Sequence, residues 1–309
     1  MHSLYRHWFS GAILFFASVV FTRFAQGQVS SSAGGKGSVV ETVGSLSDSV
    51  PIEVPPGRNG LTPQLSLVYN ASAENGFLGV GWDLPIGYII RNTRDGVSYT
   101  CDPSTSSNPC YVFKMGKDSS ELIPRADLCS GCYGATIGGT LMQFRSLNDG
   151  WEGTDKIGNT YFFGQTPASR QDGPLGTFRW MLERVADKDQ NTITYSYYKN
   201  QSESLGEIYI NRIDYQSTSI LFLRGRRSDV QTMYAADFAV STAYRLWAID
   251  ILTEGARIRR YEMGYCDMIP SCPSSSTGVS LLGSVTQYGG NGVRTRQTIT
   301  SGLKSQYFN

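Results

Sequence analysis

Closely spaced carboxylates, paired cysteines and a set of indoles are the side chains in this sequence that could carry chemistry or recognition. Asp149 with Glu152, and Asp187 with Asp189, supply the two acids that glycoside hydrolysis needs, one as proton donor and one as nucleophile or base. Both pairs lie in polar stretches that read as turns, where acids commonly accept backbone N–H groups instead. Asp187, Asp189 and Asn191 also alternate oxygen atoms as a calcium loop would, but the Gly and distal Glu that complete an EF-hand are missing. Trp82, Trp151, Trp180 and Trp247 could act as stacking platforms for sugars, with core packing as the plainer reading for Trp82 and Trp180. No catalytic, cofactor-binding or metal-binding residue is assigned, and the expectation is a protein that is not an enzyme and needs no cofactor.

Histidine chemistry is excluded from the expected mature chain. The only two histidines, His2 and His7, fall in an N-terminal segment with the features of a signal peptide. That segment starts weakly basic at Arg6, runs apolar from Ala12 to Phe21, and places Ala25 and Gly27 at −3 and −1 of a cut before Gln28. The apolar run is short of the roughly 20 residues that span a bilayer. Removal of residues 1–27 leaves no histidine for Ser-His or Cys-His pairs or for His-ligated metals. It also leaves 25 basic against 26 acidic residues, a net charge of about −1. A body this close to neutral has no electrostatic footprint for nucleic acid.

The six cysteines fall into three local pairs: Cys101 with Cys110, Cys129 with Cys132, and Cys266 with Cys272. In an exported chain such pairs read as disulfides. A redox role for Cys129-Ser130-Gly131-Cys132 would need a strand–helix–strand setting that the surrounding glycines do not offer, and the other spacings do not complete a four-cysteine zinc site.

The elements around these residues read as strands. Charged residues make up only 17% of the chain against 40% hydrophobic, so a sizeable core is expected, and 34 Gly with 18 Tyr favour strands and turns over helices. Ile193, Tyr195 and Tyr197 alternate with hydroxyl residues, and similar runs occur over 207–215, 219–223 and 257–265. Gly158-Asn159 predicts a two-residue hairpin turn. Pro51, Pro55, Pro56 and Pro63 predict short or edge strands, and Gly76, Gly79 and Gly81 predict a tight backbone crossing under Trp82. Residues 235–247 carry the one weak helical pattern. The expected layout is a signal peptide (1–27), a Ser/Gly-rich linker (28–45), a β-rich domain (46–290) and an irregular tail (291–309).

Three patches resemble the SpvB/TcaC family, which comprises the Salmonella virulence plasmid B protein and the B components of insecticidal toxin complexes. The first runs from Val50 to Asn70 (VPIEVPPGRNGLTPQLSLVYN) and continues through 75–84 (NGFLGVGWDL) to Ile89-Ile90-Arg91. The second covers 155–164 (DKIGNTYFFG) and 180–187 (WMLERVAD) and enters a Tyr-rich run at 191–197 similar to RHS units; the third is 281–289 (LLGSVTQYG). The resemblance implies an all-β fold, a multi-stranded antiparallel sheet like the first part of an RHS-type toxin shell, ending before a β-propeller. It implies a non-enzymatic structural module whose partners are other parts of a toxin complex or shell, with no nucleic acid and no membrane span in the mature chain. Ser217-Thr218-Ser219 is similar to the Ser-Thr-Ser strand of the ADP-ribosyltransferase that some relatives carry, but no Glu-x-Glu follows it. The expected destination is extracellular, with the cell envelope as an alternative; the resemblance adds the host cytoplasm for some relatives. The alternative function is a secreted β-rich protein that binds carbohydrate or another surface.

Overall fold

Period-two alternation of buried and solvent-facing side chains sets most of the secondary structure. The computed structural model describes residues 38–40, 45–116, 118–135, 142–270, 272, 275 and 277–300. The expected signal segment and the end of the tail, 301–309, lie outside the described residues. Six short strands come first: β1 (Ser38–Val40), β2 (Ser45–Ile52), β3 (Leu65–Asn70), β4 (Asn75–Gly76), β5 (Gly79–Val80) and β6 (Trp82–Asp83). Then come β7 (Tyr88–Arg91), β8 (Tyr111–Met115), β9 (Asp118–Pro124), β10 (Cys132–Ala135), β11 (Gln143–Ser146), β12 (Trp151–Thr154) and β13 (Thr160–Phe163). They are followed by β14 (Arg170–Gly173), β15 (Gly176–Ala186), β16 (Thr192–Asn200), β17 (Ser204–Tyr215) and β18 (Thr218–Met233). The last four are β19 (Val240–Thr253), β20 (Ala256–Tyr265), β21 (Leu282–Gly289) and β22 (Arg294–Ile299). The fold is all-β, and the helical content among the described residues is two single 3-10 turns at Arg58–Gly60 and Pro167–Ser169.

Pairing closes part of the large sheet on itself. Strands β7 to β13 follow one another edge to edge, and β15 joins β13 on one side and β7 on the other, completing an eight-stranded circuit. Phe113 on β8 lies 4.8 Å, centroid to centroid, from Phe144 on β11 and 6.0 Å from Phe163 on β13. Those strands are not neighbours, so the rings meet across the interior. The barrel is therefore a packed core, not a pore.

From β15 the same sheet runs on as an antiparallel meander to β22. One face presents Ile193, Ile213, Ile220, Phe222, Ile249, Ile251 and Met263, which share a buried cluster with Val50, Ile52, Leu65 and Leu67 of the β2–β3 ribbon. The Tyr261 hydroxyl accepts the Glu53 N–H at 2.9 Å and the Tyr215 hydroxyl donates to the Pro55 carbonyl at 2.7 Å, fixing the proline segment on that face. The opposite face carries charge pairs, Arg212–Asp214 and Arg260–Asp250. Such one-sided patterning is what an antiparallel sheet with one wet face requires.

Several local expectations are corrected. Residues 235–247 are not helical: a turn precedes β19, whose long pairing with β18 supplies the backbone bonds and overrides the weak helical pattern. The hairpin at Gly158 turns over Asp155–Asn159, not over two residues, because Asp155 caps the reversal. The Ser/Gly stretch contributes β1, with Ser38 opposite Ser47. The tail is not irregular from 291 onward: β22 pairs with β21 after a turn at Gly292, which has a left-handed φ of 77°. Its Arg294, Thr295, Arg296 and Gln297 show no apolar alternation, which a strand at the edge of the sheet among the described residues does not need, and charge there discourages stray pairing.

Candidate functional site

Each candidate acid is already engaged. Asp149 lies 3.6 Å from Arg170, and Glu152 lies 3.3 Å from Arg145, so the two carboxylates serve different arginines. Asp187 Oδ1 accepts the N–H groups of Asp189 and Asn191, and its Oδ2 accepts the Asn191 side-chain amide at 2.7 Å. These donations, led by Asn191, hold the Asp187 carboxyl below its usual value. Asn191 thus turns its NH₂ toward the acid, an arrangement that staples the β15–β16 turn and opposes calcium ligation. Asp155 and Asn159 build the same staple between β12 and β13. Among the described residues no group of three or more His, Cys, Asp or Glu side chains is placed to hold a metal ion. Ser219 of the Ser-Thr-Ser triplet donates to Asp214 on the neighbouring strand.

The cysteines lie in the three local pairs, with Cα–Cα separations of 5.8, 5.2 and 4.9 Å for 101–110, 129–132 and 266–272. The indoles divide. Trp151 is not a solvent-facing platform: it is buried against Tyr111 and Tyr133 inside the barrel. Trp82 and Trp180 are buried as well, and Trp247 alone of the four is exposed, at 43%, with Arg260 over its ring.

A polar knot absent from the sequence reading organises the Gly-rich segment. Arg227 has a side-chain exposure of 0%, and its guanidinium grips Asp229 through Nε at 2.9 Å and Nη2 at 2.7 Å. Arg227 also donates to the Gly76 carbonyl and to the Asn75 side chain. Asp229 accepts from Asn75 Nδ2 at 2.9 Å and from the Ser280 hydroxyl and N–H. Burial works to raise the Asp229 carboxyl, but donations from Arg227, Asn75 and Ser280 outweigh it and hold the pKa far below the ordinary carboxylate value. No local pattern marks Arg227 and Asp229, which sit in an irregular stretch of β18 within an arginine-rich run.

Close approaches explain two of the three glycines, one of them at the knot. Gly79 has φ 86°, and a Cβ there would lie 2.4 Å from the Ser280 carbonyl oxygen. Gly81 has φ 80°, and its Cβ would meet the Tyr69 ring at 2.5 Å. The crossing therefore packs against Tyr69, which in turn lies 5.4 Å from the Trp82 ring, instead of directly under the indole. Gly79→Ala should cost at least about 2 kcal/mol, from left-handed strain plus the clash. Gly76→Ala, which meets open space, is the control. Urea unfolding midpoints of the two variants check this.

Beside the knot a cleft of about 530 Å³ opens, lined by Asn75 to Phe77, by Trp82 to Ile86, by Lys114 and Arg179 from the barrel, and by Glu207 to Ile210 from the meander. Protein mass around Asp83 raises its pKa, while the Leu84 N–H and the charges of Arg179 and Lys114 pull it down. Asp83 nevertheless reaches solvent through the cleft mouth, which tempers the desolvation. The site offers fixed charges and apolar walls.

Residues 40–119 match the family model described as Salmonella virulence plasmid 65kDa B protein. No curated protein sequence matches the chain. Among solved structures, the crystal structure of TcdB2-TccC3 superposes with a TM-score of 0.68 at 18% identity, covering 86% of this chain and 16% of that one. The Photorhabdus luminescens Tc holotoxin pore gives 0.64 at 17% identity, over 86% of this chain and 16% of that one. The N-terminal domain of the effector protein SpvB from Salmonella typhimurium strain LT2 gives 0.58 at 17% identity, over 78% of this chain and 98% of that domain. This chain thus spans about a sixth of the toxin-complex chains it matches. The resemblance read from Val50 to Leu84 therefore stands on a family match and on a shared fold.

Proposed function

We propose that the chain, whose SpvB-type fold and likeness to toxin-complex chains are established above, is a non-enzymatic wall segment of a secreted toxin or virulence shell. The observation that carries this is the sheet itself: a filled barrel continuing into a meander whose last strand, β22, pairs with β21 alone among the described residues. A wall requires hydrogen-bonded strands, aromatic filling and tight turns, and the acids that could have formed a catalytic pair are spent on arginines and turn staples. Its partners on this reading are other parts of a toxin complex or RHS-type shell, reached through protein–protein contact. Export through residues 1–27 would place the chain where the three cysteine pairs form disulfides.

The test is the exported, purified chain. Its N-terminus should be Gln28 and its six cysteines should resist alkylation unless first reduced. Glycoside, ester, peptide and NAD substrates should show no turnover above that of the heat-unfolded chain. Turnover that follows the folded chain through purification would overturn the proposal. A carbohydrate-binding reading now rests on Trp247, and glycan-array binding lost on Trp247→Ala with folding intact would favour it.

A further inference from the structure

Two barrel cations face the cleft without an ion-pair partner among the described residues. Arg179 on β15 stacks on Tyr88, 5.1 Å from guanidinium carbon to ring centroid, and its Nε is buried without a hydrogen-bond partner. Lys114 on β8 stands in register with Tyr88. The charges of both act on Asp83, which no ion pair among the described residues joins to either, so the two cations stand unpaired beside the acids of the lining, Asp83, Glu207 and Glu74. One Asp83 oxygen is already occupied by the Leu84 N–H at 2.8 Å. Glu207 also lines the cleft, but its oxygens accept from the Ile208 N–H and the Thr242 hydroxyl. Glu74, exposed at the rim, disfavours a multiply charged anion.

The shape points to the form of the ligand. Trp82–Asp83 is the last strand of its small sheet and pairs with β3 alone among the described residues, and both of its residues line the cleft. The Arg227 knot and the bond from the Leu246 N–H to the Phe77 carbonyl hold the neighbouring hairpin in place, so the site is preformed. Its volume lies in the range of small-ligand and peptide-fragment sites. We propose that the cleft binds an extended peptide segment carrying one acidic side chain, with Arg179 and Lys114 clasping the carboxylate and the edge of Trp82–Asp83 pairing with the peptide backbone.

This inference stands apart from the wall reading, since a binding cleft is compatible with either functional class. Met181 and Met233 line the cleft and report on it directly. The full chain labelled with ¹³C at methionine methyls is titrated with acetylated, amidated Ala-Val-Glu-Val-Ala and with its Gln and Lys counterparts at the central position. The Glu peptide should shift the Met181 and Met233 signals at millimolar concentration, and the Gln and Lys peptides should bind at least about tenfold more weakly. Arg179→Gln should weaken the Glu peptide by about tenfold or more. Lys114→Gln, at an exposed position that tolerates change, should weaken it by a smaller factor and serves if Arg179→Gln unfolds the barrel. Unmoved Met181 and Met233 signals, equal binding of the Glu and Gln peptides, or Glu binding unchanged in Lys114→Gln and Arg179→Gln would each overturn the proposal.

Discussion

Trp151→Ala is expected to destabilise the chain by about 3–5 kcal/mol, the range for removing a large buried aromatic. Trp151 is 2% exposed and packs edge-on to Tyr111 at 4.8 Å and Tyr133 at 5.0 Å, with Trp180 at 6.1 Å. These partners come from β8, β10 and β15, so the indole braces strands that are not its neighbours in the circuit. Alanine would leave a void that rigid strands cannot collapse to fill. Trp247→Ala, at an exposed indole, should cost within about 1 kcal/mol. Urea unfolding followed by far-ultraviolet circular dichroism measures both. A Trp151→Ala loss no larger than that of Trp247→Ala would mean that the barrel interior is not the packed core described here.

Arg227→Met should cost a comparable about 3–5 kcal/mol, because it leaves Asp229 without its cation in a nearly closed site. The double replacement Arg227→Met with Asp229→Leu should recover much of that loss, since no charge then remains to desolvate. Acid gives a second readout. Asp229 in the folded chain holds its proton far less tightly than in the unfolded chain, whose ordinary value is 3.8. The stability it contributes is therefore fully present above that value and is lost as pH falls below it toward the lowered folded pKa. Between pH 5 and pH 3, the parent chain should lose more unfolding free energy than Asp229→Asn does. Equal losses would show that Asp229 does not hold its partners as described.

These two variants mark where local sequence stops being informative. The Asp-x-x-x-Asn turns could be anticipated as turns from residue type alone, since Asp187 and Asn191 satisfy each other within five residues. The knot could not: Asn75 and Arg227 are 152 positions apart, and each looks like an ordinary surface residue in its own segment. The cleft is of the same kind, since Asp83, Lys114, Arg179 and Glu207 arrive from four separate strands or strand ends. Trp151 lies in a polar-looking stretch, Asn148 to Glu152, whose neighbours suggest a surface turn. Its burial follows from β12 being enclosed between β11 and β13. β22 carries no local signal for the opposite reason, because it is held by backbone bonds to β21 and shows no apolar alternation.

By itself the sequence determined the β-rich class, the absence of histidine chemistry beyond residue 7, the local pairing of the cysteines and the SpvB-type opening. All four depend on residue identity or on neighbours within about ten positions. Tertiary structure alone decided that β15 closes a barrel, that Trp151 faces inward, and that Arg227 locks the Gly-rich hairpin beside a charged cleft. Strand alternation tells which side chains share a face, but not which distant strand will lie against that face. Long-range pairing settles that, and with it the burial and charge on which function depends.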